Sequence, residues 1–308
     1  MIIGLITALV KGTDVQPEPY IKIHMIYRAL LLVILSALLP ACTMVKYDIE
    51  NQYFDSGVLT ISKLDSCVAA ISAIKPVQSI GLDSSRIRIL SWNLQKAQHD
   101  EALYQLGILS SDADIVSIQE AKLNDNITEQ FPNLLAWSFA PGYVTKSDVT
   151  GVMNLSKVAP LTHCIFSSKE PWLGTPKATN VTEYPLRGRA STLLAVNVHG
   201  VNFTFTSKAL AAQLESFAEV IEAHNGPVVL SGDFNTWSNS RLAVLEVFAV
   251  KHNLQFLDFA IDHRKVVFGK VLDHVLVRGL EVLDTASYQV DTSDHNALRV
   301  ELRVMEGF

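Results

Sequence analysis

Carboxylates, carboxamides and a histidine stand just past apolar, β-type runs at several widely separated points of this chain. Ser91-Trp92-Asn93 follows Ile87-Arg88-Ile89-Leu90, Gln119-Glu120 follows Ile115-Val116-Ser117-Ile118, and Gly232-Asp233-Phe234-Asn235 follows Val228-Val229-Leu230. Leu272-Asp273-His274-Val275 and Thr292-Ser293-Asp294-His295 complete the set. Polar groups at the mouths of buried strands are how α/β enzymes assemble a site, because the strands are rigid and their ends open to solvent. The set holds no evident Cys or Ser nucleophile. Its oxygen donors and histidine suit a hard divalent cation and a metal-activated water that attacks a phosphoester. A lone strand-end Asp is ordinarily a turn or cap residue, and Asp233-Phe234-Asn235 before Ser238 would be read that way in isolation. Five groups at strand ends resist that reading.

Such groups need strands and helices to carry them. The sequence predicts strands over Arg86–Trp92 and Asp114–Gln119, with a helix over Asp100–Leu109 between them. Val152–Leu155 and Leu161–Phe166 are expected to pair, as are Ser191–Val198 and Asn202–Ser207 across His199-Gly200. Lys208–His224 carries Leu210, Leu214, Phe217, Val220 and Ile221 on one helical face and is stopped by Asn225-Gly226-Pro227. A second helix is predicted over Arg241–His252, and strands over Asp273–Val277 and Ala297–Val304. Two-sided helices mixed with hairpin-type and crossover-type strands imply an α/β fold of two mixed sheets packed face to face, helices outside.

The chain has 308 residues, 49% hydrophobic and 18% charged, with a formal net charge of −6. That composition is globular. The acidic balance, without any Lys/Arg block, argues against a protein that holds duplex nucleic acid mainly by charge. Cys42, Cys67 and Cys164 form no disulfide framework and include no CxxC. Cys67 and Cys164 would be able to pair in an oxidising compartment, and the sequence leaves open whether they are close. Cys42 ends an apolar run that starts after Arg28, shorter than the ~20 residues of a spanning helix. Leu39-Pro40-Ala41-Cys42 resembles the lipobox of a bacterial lipoprotein signal, which makes Cys42 the expected lipidation site. The reading divides the chain into a mis-called start (1–24), a signal segment (25–42) and a tether with a short helix from Lys63 to Ile74 (43–85). The catalytic domain follows at 86–308.

Taken in order, Trp92-Asn93, Gln119-Glu120, Gly232-Asp233-Phe234-Asn235, Leu272-Asp273 and Ser293-Asp294-His295 resemble the endonuclease/exonuclease/phosphatase superfamily. That superfamily includes apurinic endonucleases, DNase I, neutral sphingomyelinases and inositol-polyphosphate phosphatases. Gly151-Val152-Met153, Val198-His199-Gly200-Val201-Asn202-Phe203 and Phe268-Gly269 most resemble its YafD-like bacterial branch. The resemblance covers about residues 86–304 and implies a DNase I-like four-layer sandwich. It makes Glu120 the main Mg²⁺ ligand (Mn²⁺ as a substitute), Asn93 a metal-shell or phosphate-holding residue, and Asp294 a further member of the metal or water shell. His295 becomes the general base, oriented by Asp273. Asp233 and Asn235 position the water and the scissile phosphate, while His199 and Asn202 address its oxygens. Gln95 departs from the pattern: some apurinic endonucleases carry an acidic metal ligand there, so abasic-site cleavage is disfavoured.

The expectation is therefore a monomeric Mg²⁺-dependent phosphoesterase acting on a phosphodiester, with nucleic acid and phospholipid both open as substrates. The rival is a non-catalytic, membrane-anchored binding protein on the same sandwich. A lipid-anchored place in the bacterial cell envelope, facing periplasm or exterior, follows from the signal; a cytoplasmic place follows if that signal fails. The cluster Asp258, Asp262 and His263 reads as a solvated loop, not as a second metal site.

Overall fold

A computed structural model describes residues 57–308, apart from 124–130, 132, 135, 146–147 and 205. The expected mis-called start, the signal segment with Cys42 and the first part of the tether lie outside the described residues. The chain enters through a short strand, β1 (Thr60–Ile61), and a helix, α1 (Leu64–Ser72). Next come β2 (Ile87–Asn93), α2 (Ala102–Leu109), β3 (Ile115–Lys122), β4 (Ala136–Val144) and β5 (Val149–Ser156). The middle of the chain forms β6 (Thr162–Lys169), β7 (Pro176–Pro185), β8 (Thr192–His199), α3 (Lys208–Glu215) and α4 (Ala218–Ala223). Then follow β9 (Val228–Asp233), α5 (Asn239–Lys251), β10 (Gln255–Phe256), β11 (Val266–Val267) and β12 (Lys270–Val271). β13 (Asp273–Arg278), β14 (Leu280–Tyr288) and β15 (Ala297–Val304) close the fold.

Two mixed sheets result, ordered β1-β6-β7-β8-β9-β13-β10 and β14-β15-β2-β3-β5-β4. Period-two alternation decides which side chains enter which layer. In β8, for example, Leu194, Val196 and Val198 join the core beneath α1, α3, α4 and α5, whereas Leu193 and Ala195 face the opposing sheet. There they meet Ile87, Ile89, Val229, Val275 and Val300. On the far side α2 buries Ala102 and Leu106 against Leu90, Val116, Phe139 and Met153. The order is helices, sheet, sheet, helix, as the sequence led us to expect. Amides stitch the inter-sheet layer: Asn197 accepts from Gln119 at 2.6 Å and donates to Asn154 at 2.9 Å.

The structured region reaches upstream of Arg86. β1 pairs with β6 through Thr60↔His163 and Ile61↔Cys164, and a Cys67–Cys164 disulfide pins α1 to the same strand. Residues expected to be tether are thus the edge of the larger sheet and part of its cover. Three local expectations are corrected. Asn202–Ser207 forms no strand among its described residues, because both edges of β8 are already taken, by β7 and β9. The two apolar runs at 152–155 and 161–166 do not pair; β5 lies in the six-stranded sheet and β6 in the other. The helix predicted over Lys208–His224 breaks at Phe217 (φ −125°), whose buried ring packs edge-on to Phe248, and Ser216 Oγ donates to the Gln213 carbonyl.

Candidate active site

The site follows from strand direction. β2 and β3 run parallel and end together, with Asn93 opposite Gln119. β8 and β9 also run parallel, with His199 opposite Asp233. The antiparallel β13 begins at this same edge, where Asp273 stands opposite Asp233. β15 is antiparallel to β2, so the loop before it delivers His295, whose carbonyl accepts from Trp92 Nε1 at 2.9 Å. Six stretches of the chain therefore meet at one end of the sandwich. Asp233, Asn235, His199, Glu120 and His295 line a common cleft of about 520 Å³, with Asn202 and Asp294 on its walls.

Local backbone serves the same end. Gly232 has φ +141°, and a Cβ there would lie 2.0 Å from the Val198 carbonyl oxygen, so the close approach of β9 to β8 admits glycine alone. Glu120 (φ 51°) and Asn235 (φ 52°) occupy the left-handed region. The β3–β5 register slips between Ile118 and Ala121, and this bulge re-aims the Glu120 carboxylate. The Asn235 carbonyl accepts from Arg241 Nε at 2.6 Å, and the Val201 carbonyl accepts from the same buried guanidinium.

At the centre His295 Nδ1 lies 2.9 and 3.0 Å from the two Asp273 carboxylate oxygens. The bond fixes the tautomer and turns Nε2 toward Asp233 Oδ2, 3.8 Å away. Asp233 Oδ2 accepts from Asn93 at 3.1 Å and from Asn235 at 3.3 Å, and Oδ1 accepts from the Asn235 backbone at 2.9 Å. Burial pushes the Asp233 carboxyl up to about 6, Asp273 adding to the effect and His295 opposing it. Burial works against the charged form of His295, but Asp273 and Asp233 outweigh it and hold the imidazole at about 10. Burial, with Lys177, His295 and Lys96 nearby, keeps His199 well below the ordinary value.

The sequence reading missed several members. Lys177 Nζ lies 2.8 Å from His199 Nε2; an ammonium only donates, so the neutral imidazole accepts, and the cationic donor on this wall is Lys177. Buried Glu170 accepts from the Asn202 backbone at 2.9 Å and from Thr175 Oγ1 at 2.6 Å. Lys96 Nζ reaches Glu120 Oε2 at 3.0 Å from a turn in which Gln95, Lys96 and Ala97 all have positive φ. Glu170 directly follows β6, Lys96 lies in the turn after β2 and Lys177 stands near the start of β7, and strand pairing brings all three to the same edge. Asn202 turns its side-chain oxygen to Trp237 Nε1 at 2.9 Å, so its backbone and side chain hold the wall. Asp294 sits half exposed at the rim, 3.8 Å from Lys265. The inner place beside His295 Nε2 belongs to Asp233.

These donors fit a hard cation. Glu120, Asp233 and the Asn93 amide supply oxygen, the ligand type Mg²⁺ prefers. Asp233, Asp273 and His295 offer ligand atoms within 4.8 Å of one another, although the Nδ1 contact to Asp273 is a hydrogen bond and assigns that pair to proton handling. The structure thus brings carboxylates, an oriented histidine and ammonium groups into one cleft, the chemistry needed to bind and hydrolyse a phosphoester.

Known proteins give the same answer. A model of the Endonuclease/Exonuclease/phosphatase family matches residues 90–295. A UPF0294 protein from Klebsiella pneumoniae (strain 342) is 37% identical over 236 residues, covering 75% of this chain and 89% of that protein. The human nocturnin catalytic domain with bound sulfate anion superposes with a TM-score of 0.56 at 17% identity, covering 73% of this chain and 97% of that one. A mannosyl-6-phosphatase from Bacteroides thetaiotaomicron VPI-5482 gives 0.53 at 18% identity, with 70% and 99% covered. The structural likenesses bear on the fold, whereas the family match runs from Leu90 to His295 and encloses the whole cleft. The chain belongs to the endonuclease/exonuclease/phosphatase family, a family of phosphoester hydrolases.

Proposed function

We propose that this protein is a Mg²⁺-dependent phosphodiesterase that hydrolyses its substrate by direct attack of water. The observation that carries the reading is the Asp273–His295 pair aimed at Asp233, beside Glu120 and Asn93. Glu120 and Asn93, with Asp233 next to them, would hold the cation. When bound, the cation supplies Lewis-acid polarisation of a phosphoryl oxygen and neutralises part of the carboxylate field. With the cation offsetting the carboxylate field that otherwise keeps the imidazole charged, His295 Nε2 would take the proton of the attacking water, with Asp273 fixing the ring and stabilising the imidazolium. Asn235 and Asp233 would orient water and phosphate, and Lys177, backed by His199, would face the charge developing on the non-bridging oxygens. The cleft's cations are Lys96, Lys177 and Lys265, fewer than a polyphosphorylated head group would draw, which favours a diester.

We further propose an exported protein anchored through a lipid on Cys42. The Cys67–Cys164 disulfide supports export, because such bonds persist in oxidising compartments. None of the described helices is long and apolar enough to cross a membrane.

The decisive experiment uses residues Met44–Phe308, one compact unit that holds all the elements described above. Wild type and His295→Ala are assayed on bis-p-nitrophenyl phosphate with Mg²⁺ and with EDTA. Hydrolysis that needs Mg²⁺ and falls by about 10²–10⁴-fold in the variant is expected. A folded wild type inert toward this and other phosphodiesters would sink the reading and favour a binding role.

A further inference from the structure

The cleft is polar at its floor but not at its mouth. On one side the β6–β7 turn carries Trp172 and Leu173, 58% and 56% exposed. The loop after β8 carries Phe203, 50% exposed, and the tip of the β11–β12 hairpin carries Phe268, 85% exposed. Phe268 has φ 50° and Gly269 φ 77°. Tight hairpin turns of this kind ordinarily take Asn, Asp or Gly, so an aromatic ring at the tip is a costly choice that folding does not require.

Contacts join these groups into one arc. Trp237 packs edge-on to Phe268 with ring centroids 6.2 Å apart and donates to Asn202 Oδ1. Asn202 precedes Phe203 and is tied through its backbone to Glu170. Glu170 opens the turn that bears Trp172 and Leu173, and Thr175 closes that turn onto it. Partly buried polar bonds therefore brace the arc while Trp172, Leu173, Phe203 and Phe268 stay largely exposed. Leu173, Phe203 and Val267 line the cleft together with Lys96, Lys177 and Lys265.

We propose that this arc docks the cleft mouth onto a phospholipid bilayer, and that the substrate is the phosphodiester of a lipid in that bilayer; this rests on the phosphodiesterase reading above. A contiguous apolar patch beside a polar cleft marks an interaction surface, and Trp and Phe favour the membrane interface. Lysines just inside such a rim meet head-group phosphates. Duplex nucleic acid would instead need cations along a track to neutralise successive phosphates, and the net charge is −6. Single strands would need successive aromatic faces for stacking, whereas this arc interleaves aliphatic Leu173 and Val267 with its rings.

The anchor geometry agrees. β1 begins at the end of the sheet remote from the cleft, opposite His163. The eight residues of β6 span ~26 Å at the usual rise per strand residue. The fourteen residues between Cys42 and Gly57 reach at most ~50 Å, so a lipid on Cys42 leaves enough chain for the cleft mouth to face the same bilayer.

The test uses the Met44–Phe308 unit, which has no lipid anchor, as wild type and as Trp172→Ser/Phe268→Ser; neither residue lines the cleft. Three readouts are taken: sedimentation with vesicles of equal parts phosphatidylethanolamine and phosphatidylglycerol, release of phosphorylated head group from them, and hydrolysis of bis-p-nitrophenyl phosphate in water. Wild type should sediment with vesicles, and the double variant should bind at least about tenfold more weakly. Head-group release should fall in proportion, while hydrolysis of the soluble diester stays within about twofold, since no group facing the reacting phosphate has changed. A wild type that remains in the supernatant, or a double variant that binds vesicles equally well, overturns the proposal. So does a double variant that loses only affinity for single-stranded oligothymidylate, which would make the arc a base-stacking surface. Rim-dependent vesicle binding without hydrolysis of any diester would support the docking surface and refute the phosphodiesterase reading, so the two failures are distinguishable.

Discussion

Asp273→Asn removes one charge and almost no volume from the centre of the site. Asp273 is buried, and its two oxygens accept from His295 Nδ1 at 3.0 and 2.9 Å. Burial alone would depress the imidazole, yet Asp273 and then Asp233 hold it at about 10 against an ordinary 6.5. At about 1.36 kcal/mol per unit that difference is on the order of 5 kcal/mol, net of burial. Because the folded value is raised, this stabilisation is fully present below pH 6.5 and lost as pH rises through about 10. Asp273 supplies the larger of the two carboxylate contributions, so the variant should be destabilised at pH 7 by about 3 kcal/mol, in line with breaking other buried pairs. The amide can present NH₂ to Nδ1 or accept weakly from it, and either way the ring loses its orientation. Hydrolysis of bis-p-nitrophenyl phosphate should then fall by about 10²–10⁴-fold at saturating Mg²⁺, mostly in kcat. Urea unfolding at pH 7 and steady-state kinetics on the same preparation check both numbers. A variant that keeps more than a third of wild-type kcat would refute Asp273 as the orienting group. One that loses activity with a wholly unchanged unfolding midpoint would refute the electrostatic account.

Two further predictions do not depend on the reaction. Cys67 and Cys164 are fully buried and separated by 97 residues, so cross-linking them should stabilise the fold by about 4–5 kcal/mol through the unfolded chain. Cys67→Ala/Cys164→Ala should lower Tm by on the order of 10 °C in calorimetry, and an unchanged Tm would mean that α1 and β1 are held by packing alone. His163 is fully buried and burial depresses it to about 4. Its neutral form is therefore favoured by folding, and stability is lost as pH falls from 6.5 toward 4. His163→Gln should flatten that part of the stability-against-pH curve by at most about 1.4 kcal/mol per pH unit, and an unaltered slope would assign the acid sensitivity to other groups.

Much of the site was legible in the sequence because each of its strands advertises its own end. A buried strand reads as a β-type apolar run, and polar residues within three positions of its end stand at the sheet edge; Asn93, Glu120 and Asp233 were found that way. Gly232 was also readable as part of a motif, although its reason, contact with the Val198 carbonyl, was not. The helices α2 and α5 were found within two residues at each end, since a period of 3.6 is a local property. The ordered set of motifs further identified the family, and with it the four-layer arrangement.

Pairing partners are a different kind of information. Nothing in residues 149–169 states that β5 and β6 belong to opposite sheets, because either strand would bury the same apolar groups in either place. The hairpin expected after His199 failed because β8 had no free edge, a fact about β7 and β9 and not about residues 202–207. Lys177, Glu170, Lys96 and Arg241 entered the site by the same route: long side chains carried to the sheet edge by elements whose neighbours the sequence does not name. So the sequence by itself determined which strands exist, which residues stand at their ends and what chemistry those residues own. Tertiary structure alone decided that Asp233 is the carboxylate beside His295 Nε2, that Asp294 stays at the rim, and that a disulfide ties the first helix to the sheet. The physical reason is that periodicity and side-chain chemistry are carried by neighbouring residues, whereas register, burial and the field at a buried carboxylate are set by groups tens of residues away or more.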